Sequence, residues 1–204
     1  MCVIAGFLAN AQRGYRDSNR IGIAAGINQF TLNTDSFDAK PGMGWNAGLS
    51  IRGNFYNDFD MVFGMQFSEN NFSVQTTTPT AFSEDVDYKL PSAQIMLLLS
   101  YKILENHLSV ELGPMFQING KLTLDEENEL NIINGTTLFA KDITEISKFS
   151  FYPTIGITGG IRHLRASVMY QYGVNNIFGG LNTGAGNEIK AHAGILTGNI
   201  IVYL

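Results

Sequence analysis

The sequence predicts an all-β fold, an eight-stranded, antiparallel, up-and-down transmembrane β-barrel. Three observations lead there. First, from Met43 to Phe55 every second residue is apolar or Gly (Met43, Trp45, Ala47, Leu49, Ile51, Gly53, Phe55), and the residues between are Gly or polar. The pattern restarts as Phe59, Met61, Phe63, Met65 and Phe67. A period of two over this length describes strands with one apolar and one polar face. Second, these runs exceed the roughly 5–6 residues of an ordinary soluble strand. They match the about 9–11 residues that a tilted strand needs to cross hydrocarbon. Third, the chain is 45% hydrophobic, yet it has no apolar run of about 18 residues or more for a membrane helix.

Composition narrows the class further. A length of 204 residues fits one domain. Low charge (15%), 22 glycines and 11% aromatic residues suit a β-rich membrane protein. The net charge of -5 and the lack of a basic stripe give no footprint for nucleic acid, so no nucleic-acid partner is expected. The single cysteine, Cys2, excludes an intrachain disulfide and a Cys-based zinc site.

The elements follow in order. Residues 1–11 end in Ala9-Asn10-Ala11 after an apolar run, as the remnant of a secretory signal peptide cleaved before Gln12 does. The basic start of such a signal is missing, which fits a late start codon or a truncated segment. A short buried N-terminal strand is the other possibility. The barrel domain is expected over 20–204, with strands near 20–32, 43–55, 59–70, 89–103, 107–119, 148–160, 163–174 and 191–204.

Connections alternate in length. Tyr56-Asn57-Asp58, Leu104-Glu105-Asn106 and the Ile161-Arg162 region are short, while 33–42, 71–88, 120–147 and 175–190 are long. Short periplasmic turns and long outer loops are the habit of outer-membrane barrels. Both termini are therefore expected in the periplasm. That orientation sorts the aromatic residues into two girdles at the membrane boundaries. Phe55, Phe59, Tyr101 and Tyr203 fall at the inner one. Trp45, Phe67, Phe149, Phe151, Tyr170 and Tyr172 fall at the outer one. In loop 120–147, Asn134-Gly135 between β-prone runs signals a hairpin. A two-residue turn there pairs Ile118 with Phe151 and Leu112 with Ile157, continuing the fifth and sixth strands as a ribbon above the membrane. An independent hairpin on an irregular loop is the alternative.

The inward faces carry the candidate polar network. Arg52, Asp60, Lys102, Glu111 and Arg165 all fall in the periplasmic half of the lumen. Eight strands leave room for side chains and little for a pore, and charges buried so closely must pair. Glu111 is expected to bridge to Arg52 or Arg165 in a polar plug.

Other constellations read as structural. The run Asp125-Glu126-Glu127-Asn128-Glu129 lacks the spacing and turn glycine of a calcium loop, and it and Glu84, Asp85 and Asp87 read as solvated loop. Gly-rich 179–186 precedes no helix that would complete a phosphate site. Eight-stranded lipid A deacylases use a lipid-facing His-x-Ser pair. Here His107 and Ser109 alternate with lipid-facing Leu108, so both are expected to point inward at the wrong end. His163 and His192 have no ligand-like spacing. No enzymatic activity, cofactor or metal is expected.

Tyr88-Lys89-Leu90-Pro91, then Leu112-Gly113-Pro114-Met115-Phe116, then Tyr170-Gln171-Tyr172-Gly173-Val174-Asn175-Asn176-Ile177 occur in this order. In these motifs the chain resembles the PorT-like outer-membrane β-barrel domain of Bacteroidetes. The likeness implies an outer-membrane barrel, and some members of that family assist the type IX secretion system. Pro91 is expected at the start of a strand, where a ladder bond can be spared, and Gly113-Pro114 at a bulge. The expected partners are outer-membrane lipid, the barrel-assembly machinery (reading Tyr203 and the last strand) and a protein at the outer loops, chiefly 120–147. The competing architecture is a soluble lipocalin-like binder, whose apolar residues would line a ligand cavity while Arg52, Glu111 and Arg165 faced solvent.

Overall fold

A computed structural model describes residues 19–179, 181 and 189–204. Alternating sequence becomes long antiparallel ladders. The strands are β1 (Arg20–Thr34), β2 (Ala39–Tyr56), β3 (Phe59–Thr77), β4 (Ser83–Leu104), β5 (Leu108–Asn119), β6 (Ile132–Ile133), β7 (Phe149–Gly160), β8 (Leu164–Tyr172) and β9 (Ala191–Tyr203). Each of the eight long strands pairs with its neighbour along the chain, and β9 returns to β1, so the sheet closes on itself. Closure leaves the spanning region without a free edge. The two-residue β6 lies outside this ring and pairs with the far end of β3.

Cross-strand register stacks like with like. Ile23 faces Leu49 on β2 and Val202 on β9, and Phe63 faces Leu97 on β4. These side chains point outward and are exposed, as are Ile155, Ile157, Val168 and Ile200. The residues between them point inward and are buried, among them Arg52, Gln66, Gln94 and Glu111. A lipocalin-like arrangement would reverse these faces. At the turn end, Asn57 (φ 47°) and Asn106 (φ 59°) take the left-handed conformation that tight turns demand and Asn tolerates.

The opposite end departs from the sequence expectation in several places. The expected loop 71–88 is mostly strand: β3 and β4 stay paired from Asn71↔Lys89 up to Thr77↔Ser83, leaving a connection of 78–82. The expected loop 33–42 shrinks to 35–38. Both changes follow from alternation that continues after the outward face has turned polar. Pro91 therefore sits within β4 rather than at its start. Its carbonyl accepts from Gly120 N at 2.8 Å, so its hydrogen-free nitrogen faces the side where β5 has just ended.

Gly113-Pro114 forms no bulge. The β4–β5 ladder loses pairing between Met96↔Met115 and Leu99↔Leu112 but keeps its register. A Cβ on Gly113 would lie 2.1 Å from Leu97 O, so only Gly permits this approach. Asn134-Gly135 does not continue β5 and β7 as a ribbon. The observed pairs are Ile118↔Phe149 and Leu112↔Ile155, two residues away from the register that turn would impose. Instead Thr136 N closes a local turn on Ile133 O at 3.1 Å, with Gly135 at φ 84°. Ile132 and Phe139 bridge beyond it, giving an independent hairpin inside an irregular segment.

Candidate functional site

The interior is the candidate site, and its inward side chains fall in three layers. The layer at the turn end is charged. Arg52 on β2 sits 3.3 Å from Asp60 Oδ2 and also pairs with Glu111 Oε1. Its Nη1 donates to Ser100 Oγ at 2.8 Å, and Lys102 Nζ lies 3.2 Å from Asp60 Oδ1. Neighbouring strands β2, β3, β4 and β5 thus supply one connected network. Charges removed from water are tolerable only when paired and hydrogen-bonded in this way. Arg165 stands apart. Glu111 pairs with Arg52, while Arg165 donates to Asn106 O (3.1 Å), Ser109 Oγ (3.2 Å) and Thr158 O (3.2 Å).

Tyr203 belongs to this layer as well. The girdle position expected for it is wrong, because strand parity turns it inward, where its hydroxyl lies 2.9 Å from Ser50 Oγ. His107 and Ser109 do not act together. His107 is exposed in the turn, with Nδ1 2.8 Å from Glu105 O, while Ser109 is buried against Arg165. The expectation that both point inward fails for His107 because it precedes the strand.

A neutral polar layer follows. Gln66, Gln94, Gln117 and Ser150 face one another across successive strands. Gln94 Nε2 donates to Gln117 Oε1 at 2.9 Å, and Asn119 Nδ2 donates to Ser150 Oγ at 2.9 Å. On the other side Asn28 donates to Asn70 at 3.0 Å and Asn70 to Ser92 at 3.1 Å.

The layer at the loop end is apolar, and sequence reasoning missed it. Phe30, Phe72, Tyr88, Leu90, Tyr152 and Ile195 all point inward and are fully or nearly fully buried. The Phe72 and Tyr88 rings stack at 5.1 Å, and Phe30 meets Phe72 at 5.6 Å. Segment 120–147 folds down onto this layer and buries Leu122, Ile133, Ala140 and Ile143, each at most 1% exposed. Phe178 joins from the last connection and meets Phe37 at 6.1 Å. The Tyr88 hydroxyl donates to Ala140 O at 2.9 Å. Burial, reinforced by the Asp142 carboxylate, holds that phenol well above its ordinary range, so it remains a donor. The missed signal was parity: Phe72, Val74, Val86, Tyr88 and Leu90 continue the inward series of β3 and β4.

Outside, the polarity switches at the same height. On β3 the outward residues run Phe59 to Phe67 and then Glu69, Asn71, Ser73 and Gln75. Asp85 and Asp87 lie on the outer face of the ribbon, where Asp85 pairs with Lys40 at 2.5 Å and Asp87 accepts from Ser73. The predicted girdle residues Phe55, Phe59 and Tyr101 lie at the turn end, with Phe59 and Tyr101 5.2 Å apart. Trp45, Phe67, Phe149, Phe151, Tyr170 and Tyr172 lie at or near the switch, with Phe151 5.0 Å from Phe116. Among the described residues no group of three or more His, Cys, Asp or Glu is placed to hold a metal ion. The signal-like residues 1–11, with Cys2, and most of the Gly-rich stretch 179–186 lie outside the described residues.

An apolar belt around a closed sheet with buried polar side chains inside defines a membrane-spanning barrel. The chain belongs to the outer membrane protein beta-barrel domain family, whose model matches residues 10–179, and its place is the outer membrane. It is similar in structure to Neisserial surface protein A, at 14% identity and a TM-score of 0.54, covering 91% of this chain and 99% of that one. OprG of Pseudomonas aeruginosa matches at 11% identity and a TM-score of 0.49, over 94% and 96% of the two chains. Ail of Yersinia pestis matches at 14% identity and a TM-score of 0.47, over 92% and 100%. Identities this low speak to the fold alone. No curated protein matches the chain at a significant level.

Proposed function

We propose that this protein is a closed, non-conducting barrel that works through the folded cap at its loop end, with both termini in the periplasm and the cap outside the cell. One observation carries the reading: segment 120–147 is packed into the mouth, with Leu122, Ile133, Ala140 and Ile143 buried above the interior. A channel would keep a wetted path there. The cap also leaves apolar side chains exposed, Phe82, Leu130, Ile132 and Phe139, with Ile132 and Phe139 bridged side by side. Clustered apolar exposure on a soluble surface marks a docking face. The occupant in this reading is a protein at the cell surface. A link to secretion is its finer form, supported by the ordered motifs shared with PorT-like domains.

Lipid surrounds the belt, and the barrel-assembly machinery handles the chain during biogenesis through the amphipathic β9. No reaction is assigned, because His107 and Ser109 are held apart in role. Planar-bilayer recording of the purified protein is expected to give no large, stable steps, and sustained conductance would overturn the closed-barrel reading. Crosslinking in intact outer membranes is expected to capture a protein with the native chain and to lose it with Ile132→Asp/Phe139→Asp. Equal capture by both would remove the cap from the proposal.

A further inference from the structure

A groove of about 510 Å³ runs along the outside of the barrel at the height of the polarity switch. Its floor is Ala93, the one small residue in the outward row Phe67, Ala93, Ile118 formed by cross-strand neighbours on β3, β4 and β5. Phe67 and Trp45 form one wall, Ile118 the other, and Pro91 and Gly120 close the top. The walls are exposed apolar side chains within the belt, so the medium that meets them is hydrocarbon.

Above this apolar groove the chain places two lysines. Gly120 donates to Pro91 O at 2.8 Å, and Thr123 exchanges two bonds with Lys89, at 2.9 and 3.0 Å. Two residues, Lys121 and Leu122, therefore oppose the single Leu90. Leu90 and Leu122 are both buried inside, so Lys121 is the surplus residue of a bulge and is exposed. Lys89 is exposed on the outward face two residues above Pro91. Among the described residues neither lysine has an ion-pair partner. Glu69 borders the groove across from Pro91 and accepts from Asn71 at 3.5 Å.

We propose that this groove is a binding site for an acylated, phosphate-bearing glycolipid of the outer leaflet. One acyl chain lies over Ala93 between Phe67 and Ile118, the phosphate meets Lys89 and Lys121, and Glu69 accepts from headgroup hydroxyl or amide groups. An ammonium binds phosphate as a compact point charge with several donors, and two of them at headgroup height favour an anionic lipid over a neutral one. The leaflet assignment rests on the cap-outside reading given above.

Native mass spectrometry of the full chain in non-ionic detergent tests the site without reference to orientation. The probe is a diphosphorylated, multiply acylated diglucosamine lipid, compared with its dephosphorylated form. One phosphorylated lipid is expected to stay bound, with at least tenfold weaker retention for Lys89→Glu/Lys121→Glu and no change for Lys190→Glu. Ala93→Trp, which fills the floor, is expected to weaken retention similarly. Should that variant not fold, the lysine variant alone decides. Equal retention of the dephosphorylated lipid, or unchanged binding by the lysine variant, overturns the proposal. Labelling of a cysteine placed in the cap of intact cells reports orientation separately, so the two readings fail independently.

Discussion

Arg52 shows how a single residue organises the lower interior. It contacts Asp60, Ser100 and Glu111, which come from three different strands. Removing Glu111 leaves a buried guanidinium short of one partner, and breaking such a pair costs about 3–5 kcal/mol. Glu111→Ala is therefore expected to lower stability by about that amount in urea unfolding from lipid vesicles. Replacing both partners, as Arg52→Met/Glu111→Leu, should recover most of it. The sequence placed these charges inside through strand parity alone. It could not choose between Arg52 and Arg165 as the partner of Glu111, because β2 and β5 are not neighbours. Their approach depends on the curvature of the closed sheet, which no local pattern encodes. Gly113 makes a sharper residue-scale case. A Cβ there would meet Leu97 O at 2.1 Å, with Leu98 Cα at 2.9 Å, both backbone atoms. Gly113→Val is expected to abolish the heat-modifiable folded band on a gel, whereas Gly159→Ala, whose Cβ would meet nothing nearer than 3.7 Å, should keep it.

At the scale of elements, the β3–β4 ribbon and segment 120–147 form one unit. The ribbon supplies Phe72, Val74, Val86 and Tyr88, and the segment answers with Leu122, Ile133 and Ile143. Tyr88 ties the two with its bond to Ala140 O. Tyr88→Phe removes the side-chain bond that ties the ribbon to the segment here, a net loss of about 0.5–1.5 kcal/mol. Limited proteolysis should then cut within 120–147 faster than in the native chain. Ile143→Asp places an unpaired carboxylate where no water reaches. It is expected to expel the segment and to raise ion conductance in planar bilayers. The ribbon was not visible from the sequence, and the independent hairpin of 120–147 stood there only as the alternative to a continued ribbon. The region 71–88 read as loop because its outward residues are polar, and the Asn134-Gly135 turn invited a ribbon. What decided otherwise was burial of apolar residues from the segment, a tertiary gain that outweighs a local turn preference. The eight strands themselves were legible because each keeps its period of two through the membrane.

The whole molecule is two proteins in one continuous sheet. Within the membrane its apolar face points out and its polar face in. Above Phe67 the β3 and β4 strands, with unbroken parity, reverse this and bury an apolar core as a soluble domain does. The switch occurs at one height on neighbouring strands: Phe67 gives way to Glu69 on β3, and Ala93 to Pro91 and Lys89 on β4. That height marks the membrane boundary, and it makes a quantitative demand. Phe63 and Leu97 face each other midway along the belt. An arginine on the lipid face costs about 2–4 kcal/mol at the midplane and about 0–1 near the interface. Leu97→Arg is therefore expected to destabilise the barrel by about 2–4 kcal/mol in lipid vesicles. Asn33→Arg, exposed on β1 above the switch, should change stability by no more than about 1 kcal/mol. Measured unfolding free energies in one bilayer compare the two directly. If the outward face were solvated along its whole length, both substitutions would be mild. A large loss at both positions would mean that hydrocarbon covers the ribbon too, placing the boundary higher than the polarity switch.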